Sequence, residues 1–351
     1  MSLRRMICLV LMAAVGVLLI AFPFATSMFD KARGVDGLTD DFRYSFTAQS
    51  LDQTDADMAT VHAMSDELRE QLLPALPEAL GMTTQQFDDF MSARYPEAAA
   101  GIAQLEIVVP RFEGLVIGLK QQAGNFRQAD AIPTSSLPAQ VVPFLFVMPG
   151  ALLVLVAGIG SALLATGRGH RWTSITAVVS VLVGLVFLTA PFALSLPSKA
   201  RAVDELTTSF QSTFSESGVE VLQRDLMVVR AMTVELHTRT VPDLAQATGM
   251  NPEQFARFLG QNFPQVATGM QQIDGILDRF DAFAAGIEAN LDNFRLAASI
   301  PTAGTSTTAL LYWFLMPGAA LVILGVIAAP GPRHVREPQR DVRRVLAAAR
   351  T

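Results

Sequence analysis

Few residues in this 351-residue chain are of the types that carry out chemistry, and their spacing assembles none of the common sites. Four histidines, His62, His170, His237 and His334, stand apart, none with a second His or a Cys at metal-ligand spacing. No Gly-x-Ser-x-Gly elbow, Gly-rich phosphate loop or His-Glu-x-x-His helix occurs. Asp52-Gln53-Thr54-Asp55-Ala56-Asp57 has the spaced acids of a calcium loop without its central Gly or terminal Glu. Its copy later in the chain, Glu220-Val221-Leu222-Gln223-Arg224-Asp225, has lost most of those ligands. No enzymatic activity, no cofactor and no metal site is expected.

Basic residues offer binding chemistry instead. Lys31 and Arg33 follow the first apolar block, Lys199 and Arg201 follow the third, and Arg127 and Arg295 precede the second and fourth. A guanidinium grips phosphate in a two-pronged geometry, so Arg33, Arg127, Arg201 and Arg295 are candidates for a collar that holds lipid phosphate. The plainer reading is snorkelling with surface ion pairs, Arg33 to Asp36 and Arg201 to Asp204. Inside two apolar blocks stand Met148-Pro149-Gly150 and Met316-Pro317-Gly318. Pro frees backbone carbonyls and permits a kink, while Gly permits close helix approach. Pro149, Gly150, Pro317 and Gly318 are therefore expected at kink or packing positions. Lining a substrate path is the alternative.

The elements that carry these residues are legible in composition. The chain is 51% hydrophobic and 17% charged, with mean hydropathy +0.37. The apolar residues gather in four blocks without Lys, Arg, Asp or Glu: 6–28, 141–166, 172–196 and 309–329. At about 1.5 Å per helical residue, each crosses a hydrocarbon core of about 30 Å. Arg4 and Arg5 before the first block would also suit a cleaved leader, but its internal copy, the third block, lies mid-chain. The single cysteine, Cys8, lies in the first block, so the segments between blocks contain no disulfide.

Three short basic segments flank the blocks: the N-terminus (Arg4, Arg5), the loop 167–171 (Arg168, Arg171) and the tail 330–351, where Arg is repeated. The two long segments between blocks are acidic, with a net charge of roughly −14. The positive-inside rule then puts both termini in the cytoplasm and both long segments outside. The chain also repeats itself without a gap at an offset of 168 residues. Lys31-Ala32-Arg33 matches Lys199-Ala200-Arg201, Asn125-Phe126-Arg127 matches Asn293-Phe294-Arg295, and Ile132-Pro133-Thr134 matches Ile300-Pro301-Thr302. About a third of positions from 21 to 161 are identical in this register, well above chance. Such a parallel repeat implies two copies about an axis along the membrane normal, and an ancestor that dimerised.

The long segments read as helical. Gly81-Met82 closes one helix, and Thr83 with Gln86 spells a capping box for the next. In the second copy Asn251 takes the cap, Pro252 the first helical position and Gln254 the place of Gln86. Further on, Leu105, Val108, Phe112, Leu115, Leu119 and Phe126 form an apolar stripe along one helix face, repeated as Ile273, Ile276, Phe280, Phe283, Ile287, Leu291 and Phe294. The stripes pack either within their own domain or against each other or a partner.

The expected fold is thus an all-α integral membrane protein, a tandem parallel repeat with pseudo-two-fold symmetry. Its four transmembrane helices flank two predominantly helical extracytoplasmic domains. The parts are a short cytoplasmic N-terminus and first span (1–28), outer domain 1 (29–140), second span (141–166), cytoplasmic loop (167–171), third span (172–196), outer domain 2 (197–308), fourth span (309–329) and basic cytoplasmic tail (330–351). The expected location is a bacterial plasma membrane. The expected role is a non-enzymatic cell-envelope scaffold or accessory subunit, with a transporter or permease subunit moving a lipid or hydrophobic substrate as the alternative. Its partners would be membrane lipids and either another envelope protein or a second copy, not nucleic acid.

Overall fold

The computed structural model describes residues 3–166 and 170–329, which are helical with no β-strand. Arg168 and the tail arginines from Arg333 onward, on which the expected sidedness draws, lie outside the described residues. The helices, in chain order, are α1 (Leu3–Ala25), α2 (Met28–Phe42), α3 (Ala48–Glu67), α4 (Leu73–Ala79), α5 (Thr84–Arg94), α6 (Pro96–Asp130), α7 (Phe144–Ala165), α8 (His170–Ala193), α9 (Leu196–Phe210), α10 (Glu216–Glu235), α11 (Val241–Ala247), α12 (Pro252–Asn262), α13 (Pro264–Ala289), α14 (Leu291–Ala298) and α15 (Leu310–Ala328). They sort into two compact units. One holds α1, α7, α8 and α15, the other residues 27–142 and 195–309.

Four stretches of the chain are long and apolar enough to span a membrane: Leu3–Ala25, Ala139–Leu164, Trp172–Ala193 and Thr307–Ala328. The first and third end short of their apolar blocks because Ser27 and Ser195 adopt left-handed backbone, φ 52° and 54°. A non-glycine residue there costs about 1–2 kcal/mol and cannot continue a right-handed helix. Met28 and Leu196, the last residues of those blocks, instead begin α2 and α9.

In this first unit the main packing runs α1 on α7, α7 on α8, α8 on α15 and α15 on α1, with a smaller contact between α1 and α8. Apolar surface drives no association within hydrocarbon, so close packing must. Glycines supply it. A Cβ on Gly16 would meet the Gly150 carbonyl oxygen at 2.8 Å, and one on Gly184 the Gly318 oxygen at 2.7 Å. Aromatic rings fill the centre: Phe146 lies 4.5 Å from Phe314 and 5.9 Å from Phe187, and Phe146 is 0% exposed. Ser180 donates to the Leu321 carbonyl at 2.8 Å, so a buried hydroxyl is answered by a neighbouring helix.

The second unit is one body built from both long segments. Its long helices form another closed ring, α3 on α6, α6 on α10, α10 on α13 and α13 on α3. The two stripes meet in its core, where Leu105, Val108 and Phe112 share a cluster with Ile273, Ile276 and Phe280, and the Phe112 and Phe280 rings lie 5.0 Å apart edge to face. The economical expectation, that each stripe packs only within its own segment, is thereby corrected. Neither segment alone supplies enough helices to cover a stripe, and pooling them does.

Local signals place the shorter helices. Thr83 and Gln86 form the capping box of α5, with Gln86 N to Thr83 Oγ1 at 3.2 Å, and Asn251 and Gln254 form that of α12. Gly81 and Gly249, φ 63° and 71°, end the preceding helices. One wide π-helical turn, Leu68–Leu72, recurs at the repeat offset as Leu236–Thr240. The copies differ at one place. α6 runs unbroken through Pro110, whereas its counterpart breaks at Asn290 into α13 and α14.

Candidate functional site

The candidate collar arginines sit on α2, α6, α9 and α14 and are all exposed. Arg33 pairs with Asp30 at 3.2 Å, not with Asp36. The Asp36 carboxylate is taken by the backbone of a short 3-10 turn, accepting from Ala139 N at 2.6 Å and Gln140 N at 3.1 Å. Asp204 does the same for the turn Thr307–Ala309, accepting from Thr307 N at 2.8 Å. Free N–H groups at a helical start bind a carboxylate better than an exposed guanidinium does, which is why the expected Arg33–Asp36 and Arg201–Asp204 pairs give way. Arg295 pairs with Glu216 at 2.8 Å and with Asp292 at 3.2 Å. Arg127 donates to the Ala123 carbonyl at 3.3 Å, and Arg201 is exposed on α9.

The lysines beside the arginines turn inward. Lys31 Nζ donates to the Ser299 and Pro301 carbonyls at 3.0 and 2.8 Å, and Lys199 Nζ to those of Ala131 and Pro133 at 2.8 and 2.7 Å. Each ammonium from one half thus holds the turn at the end of the other. Both pKa values are lowered by burial.

Four buried carboxylates cross between the halves in the same way. Asp57, 4% exposed, accepts a fork from Arg279 at 2.6 and 2.7 Å, and Asp225, 5% exposed, accepts from Arg111 at 2.9 and 3.1 Å. Glu67 caps the start of α13 through Val266 N at 2.7 Å, and Glu235 caps the start of α6 through Ala98 N at 2.8 Å. Asp57, the last acid of the calcium-like stretch, therefore lies in α3 and binds an arginine. No three His, Cys, Asp or Glu residues converge as metal ligands among the described residues.

One further ion-pair group lacks a copy. Tyr95 donates to Asp243 at 2.8 Å, Arg94 reaches the same carboxylate at 3.3 Å, and Arg94 and Arg239 lie 6.0 and 5.9 Å from the Tyr95 ring centre. Burial, and then the bond to Asp243, push the phenol up, while the Tyr95 hydroxyl holds Asp243 down. At the reciprocal positions, Phe263 of the second half stands for Tyr95 and Ala75 of the first half for Asp243.

The helices that carry the arginines also line an apolar cavity of about 50 Å³, walled by phenylalanines including Phe42, Phe126, Phe210 and Phe294. Phe46 stacks on Phe126 at 4.1 Å and Phe214 on Phe294 at 4.5 Å, at matching repeat positions. Arg127 and Arg295 immediately follow Phe126 and Phe294 in sequence, so each helix turns an aromatic ring inward and a guanidinium outward.

In the spans, Gly150 and Gly318 each face a glycine of the preceding span, Gly16 and Gly184 respectively, and helices α7 and α15 continue past Pro149 and Pro317. The lysine clamps, the crossed carboxylates and Tyr95–Asp243 escape sequence reasoning because their partners lie far apart in the chain. Their one signal is that Lys31, Asp57, Glu67 and Arg111 reappear unchanged or as the same charge at the repeat offset. No protein-family model matches this chain, and no curated protein is significantly similar to it.

Proposed function

We propose that this chain is a non-enzymatic scaffold or accessory subunit of a bacterial plasma membrane, anchored by four spans, whose outer helical unit binds a partner protein or a lipid. Both termini are cytoplasmic, both long segments are outside, and the two copies are related by a pseudo-two-fold axis. The observation that carries this reading is the employment of the buried charges. Asp57, Asp225, Glu67 and Glu235 are each tied to an arginine or a helix start in the other half, which suits a stiff interlocked body. Arginines beside an aromatic-lined cavity suit the head and chain of an anionic lipid. The transporter alternative draws on Pro149-Gly150 and Pro317-Gly318. It is opposed by the rings of Phe146, Phe187 and Phe314 that fill the centre of the spans.

The test is purification in mild detergent followed by native mass spectrometry of the wild type and an Arg127→Lys/Arg295→Lys variant. A partner or an anionic lipid at fixed stoichiometry is expected, with lipid retention reduced in the variant because an ammonium cannot fork two phosphate oxygens. A bare chain in every preparation would rule the proposal out, and equal lipid retention in the two would remove its lipid arm.

A further inference from the structure

The outer unit contains a larger cavity, of about 250 Å³. Asp41, Tyr44, Gln53, Thr54, Asp57 and Arg279 supply its polar lining, and Phe42, Phe280 and Phe283 its apolar floor. Asp57 and Arg279 belong to the interlock and are matched by Asp225 and Arg111. Of the rest, Ser45 keeps a hydroxyl as Thr213 and Ser50 becomes Gly218, while four others change. At the repeat offset Asp41 becomes Ser209, Tyr44 becomes Ser212, Gln53 becomes Val221 and Thr54 becomes Leu222. In that second position Leu222 packs against two hydrophobic clusters, so side chains occupy the space. The two versions of this place thus differ, Gln53 and Thr54 on one side standing where Val221 and Leu222 stand on the other. Hollow polar space has no packing value, since it forfeits contacts that Val and Leu are seen to make.

The lining tells which ligand chemistry fits. Arg279 spends two of its five N–H groups on Asp57, and its side chain is 49% exposed. Gln53 Nε2 donates to Asp57 Oδ1 at 2.8 Å, which leaves its amide oxygen as an acceptor. Asp41 Oδ2 accepts from the buried amide of Asn290 at 2.9 Å, and Asp41 Oδ1 has no donor among the described residues. The wall thus carries both donors and acceptors. A simple cation would leave the guanidinium and amide donors unanswered, and a simple anion would face Asp41 and Asp57. A molecule whose groups each both donate and accept answers the whole wall, and a hydroxyl is such a group. Its C–H face would rest on the phenylalanines. At about 30 Å³ per water the cavity holds about eight waters, the space of one sugar-sized ring. We infer that this cavity is a binding site for a small polyhydroxylated ligand, a single sugar or cyclitol unit, free or as the terminal unit of a glycan.

This site stands independently of the scaffold reading and is tested on purified protein alone. The full chain is placed in nanodiscs of phospholipids without sugar headgroups, and saturation-transfer NMR is recorded with methyl α-glucopyranoside and myo-inositol as probes, choline and acetate serving as controls, all at millimolar concentration. Two variants install residues that the second copy already carries, Gln53→Val/Thr54→Leu and Asp41→Ser. The wild type should transfer saturation to a polyol but not to choline or acetate. Both variants should bind it about tenfold more weakly while remaining folded and fully helical, each having lost one hydrogen bond, of Gln53 to Asp57 or of Asn290 to Asp41. The proposal fails if neither polyol responds in the wild type, if the variants respond as the wild type does, or if choline or acetate gives the stronger signal. A glycan terminating in the responding unit should compete with it if the natural ligand is polymeric. Competition by the free monosaccharide alone assigns the site to free sugar.

Discussion

Arg111 and Asp225 illustrate how single residues hold this molecule together. Asp225 is 7% exposed at its side chain while Arg111 is 52% exposed, so the carboxylate is desolvated and the guanidinium that answers it is half in water. Arg111→Ala would strand the carboxylate and should cost about 1–3 kcal/mol, at the lower end of what breaking a buried pair costs because solvent reaches the arginine side. Denaturant unfolding should show it. A double-mutant cycle with Asp225→Asn should give a coupling term, and strict additivity would mean that the pair contributes nothing. Tyr95 makes a prediction in pH. Its phenol is raised above the ordinary 10.0, first by burial and then by the bond to Asp243. A raised folded-state pKa favours the neutral form, so this contribution is fully present below pH 10 and is lost as pH climbs through the folded value. Unfolding midpoints of the wild type should fall more steeply above pH 10 than those of Tyr95→Phe, a substitution matched by Phe263 in the second copy. Parallel curves would contradict it. Neither pair is legible from sequence, because Arg111 and Tyr95 find their partners in the opposite half.

Elements were far more legible than pairings, and the reason is local physics. Thr83 with Gln86, and Asn251 with Gln254, specify helix starts through atoms three residues apart, and both starts form as their spacing predicts. The apolar blocks declare four candidate spans by length alone. What stayed hidden were features set by tertiary packing, the π-helical turns at Leu68–Leu72 and Leu236–Thr240, the break at Asn290, and the left-handed serines that stop α1 and α8. Glycine and proline in the spans separate at this scale. A side chain on Gly150 would strike the Gly16 carbonyl oxygen at 2.7 Å, a backbone atom that cannot swing away. Pro149 lies within a helix that continues on both sides of it. Gly150→Leu and Gly318→Leu should therefore lower the thermal stability of the solubilised protein by about 1–3 kcal/mol or more, as overpacking does. Pro149→Ala and Pro317→Ala should be milder, changing stability or assembly without a transport defect beyond reduced abundance. An abundant, well-assembled Pro→Ala variant that fails selectively to move a substrate would favour the transporter reading.

At the scale of the whole molecule, the sequence shows two copies, and the natural expectation was two outer domains. The two long segments instead share one core, and three sets of crossed interactions have their reciprocals. Lys31 holds the turn near Pro301 while Lys199 holds that near Pro133, Asp57 takes Arg279 while Asp225 takes Arg111, and Glu67 caps α13 while Glu235 caps α6. Reciprocity of this kind is the mark of an isologous interface, in which residue i meets j and j meets i. The first half contains both members of each set, Lys31 with the carbonyl of Pro133, Asp57 with Arg111, and Glu67 with Ala98 N. A chain ending at residue 168 could then satisfy all of them with a second copy of itself. As a monomer it would leave the Asp57 and Glu67 carboxylates without their partners and its apolar stripe in water. Expressed alone, this half should behave as a dimer in size-exclusion chromatography with light scattering. Asp57→Ala within it should weaken the dimer, because each subunit would lose an ion pair at both ends of the interface. Supplying the second half as a separate chain should compete, since the natural pairing adds contacts such as Tyr95 with Asp243 that the self-pairing lacks. A monomeric, fully helical first half with a cooperative unfolding transition would show that each copy closes its own core, and would refute the interlocked reading.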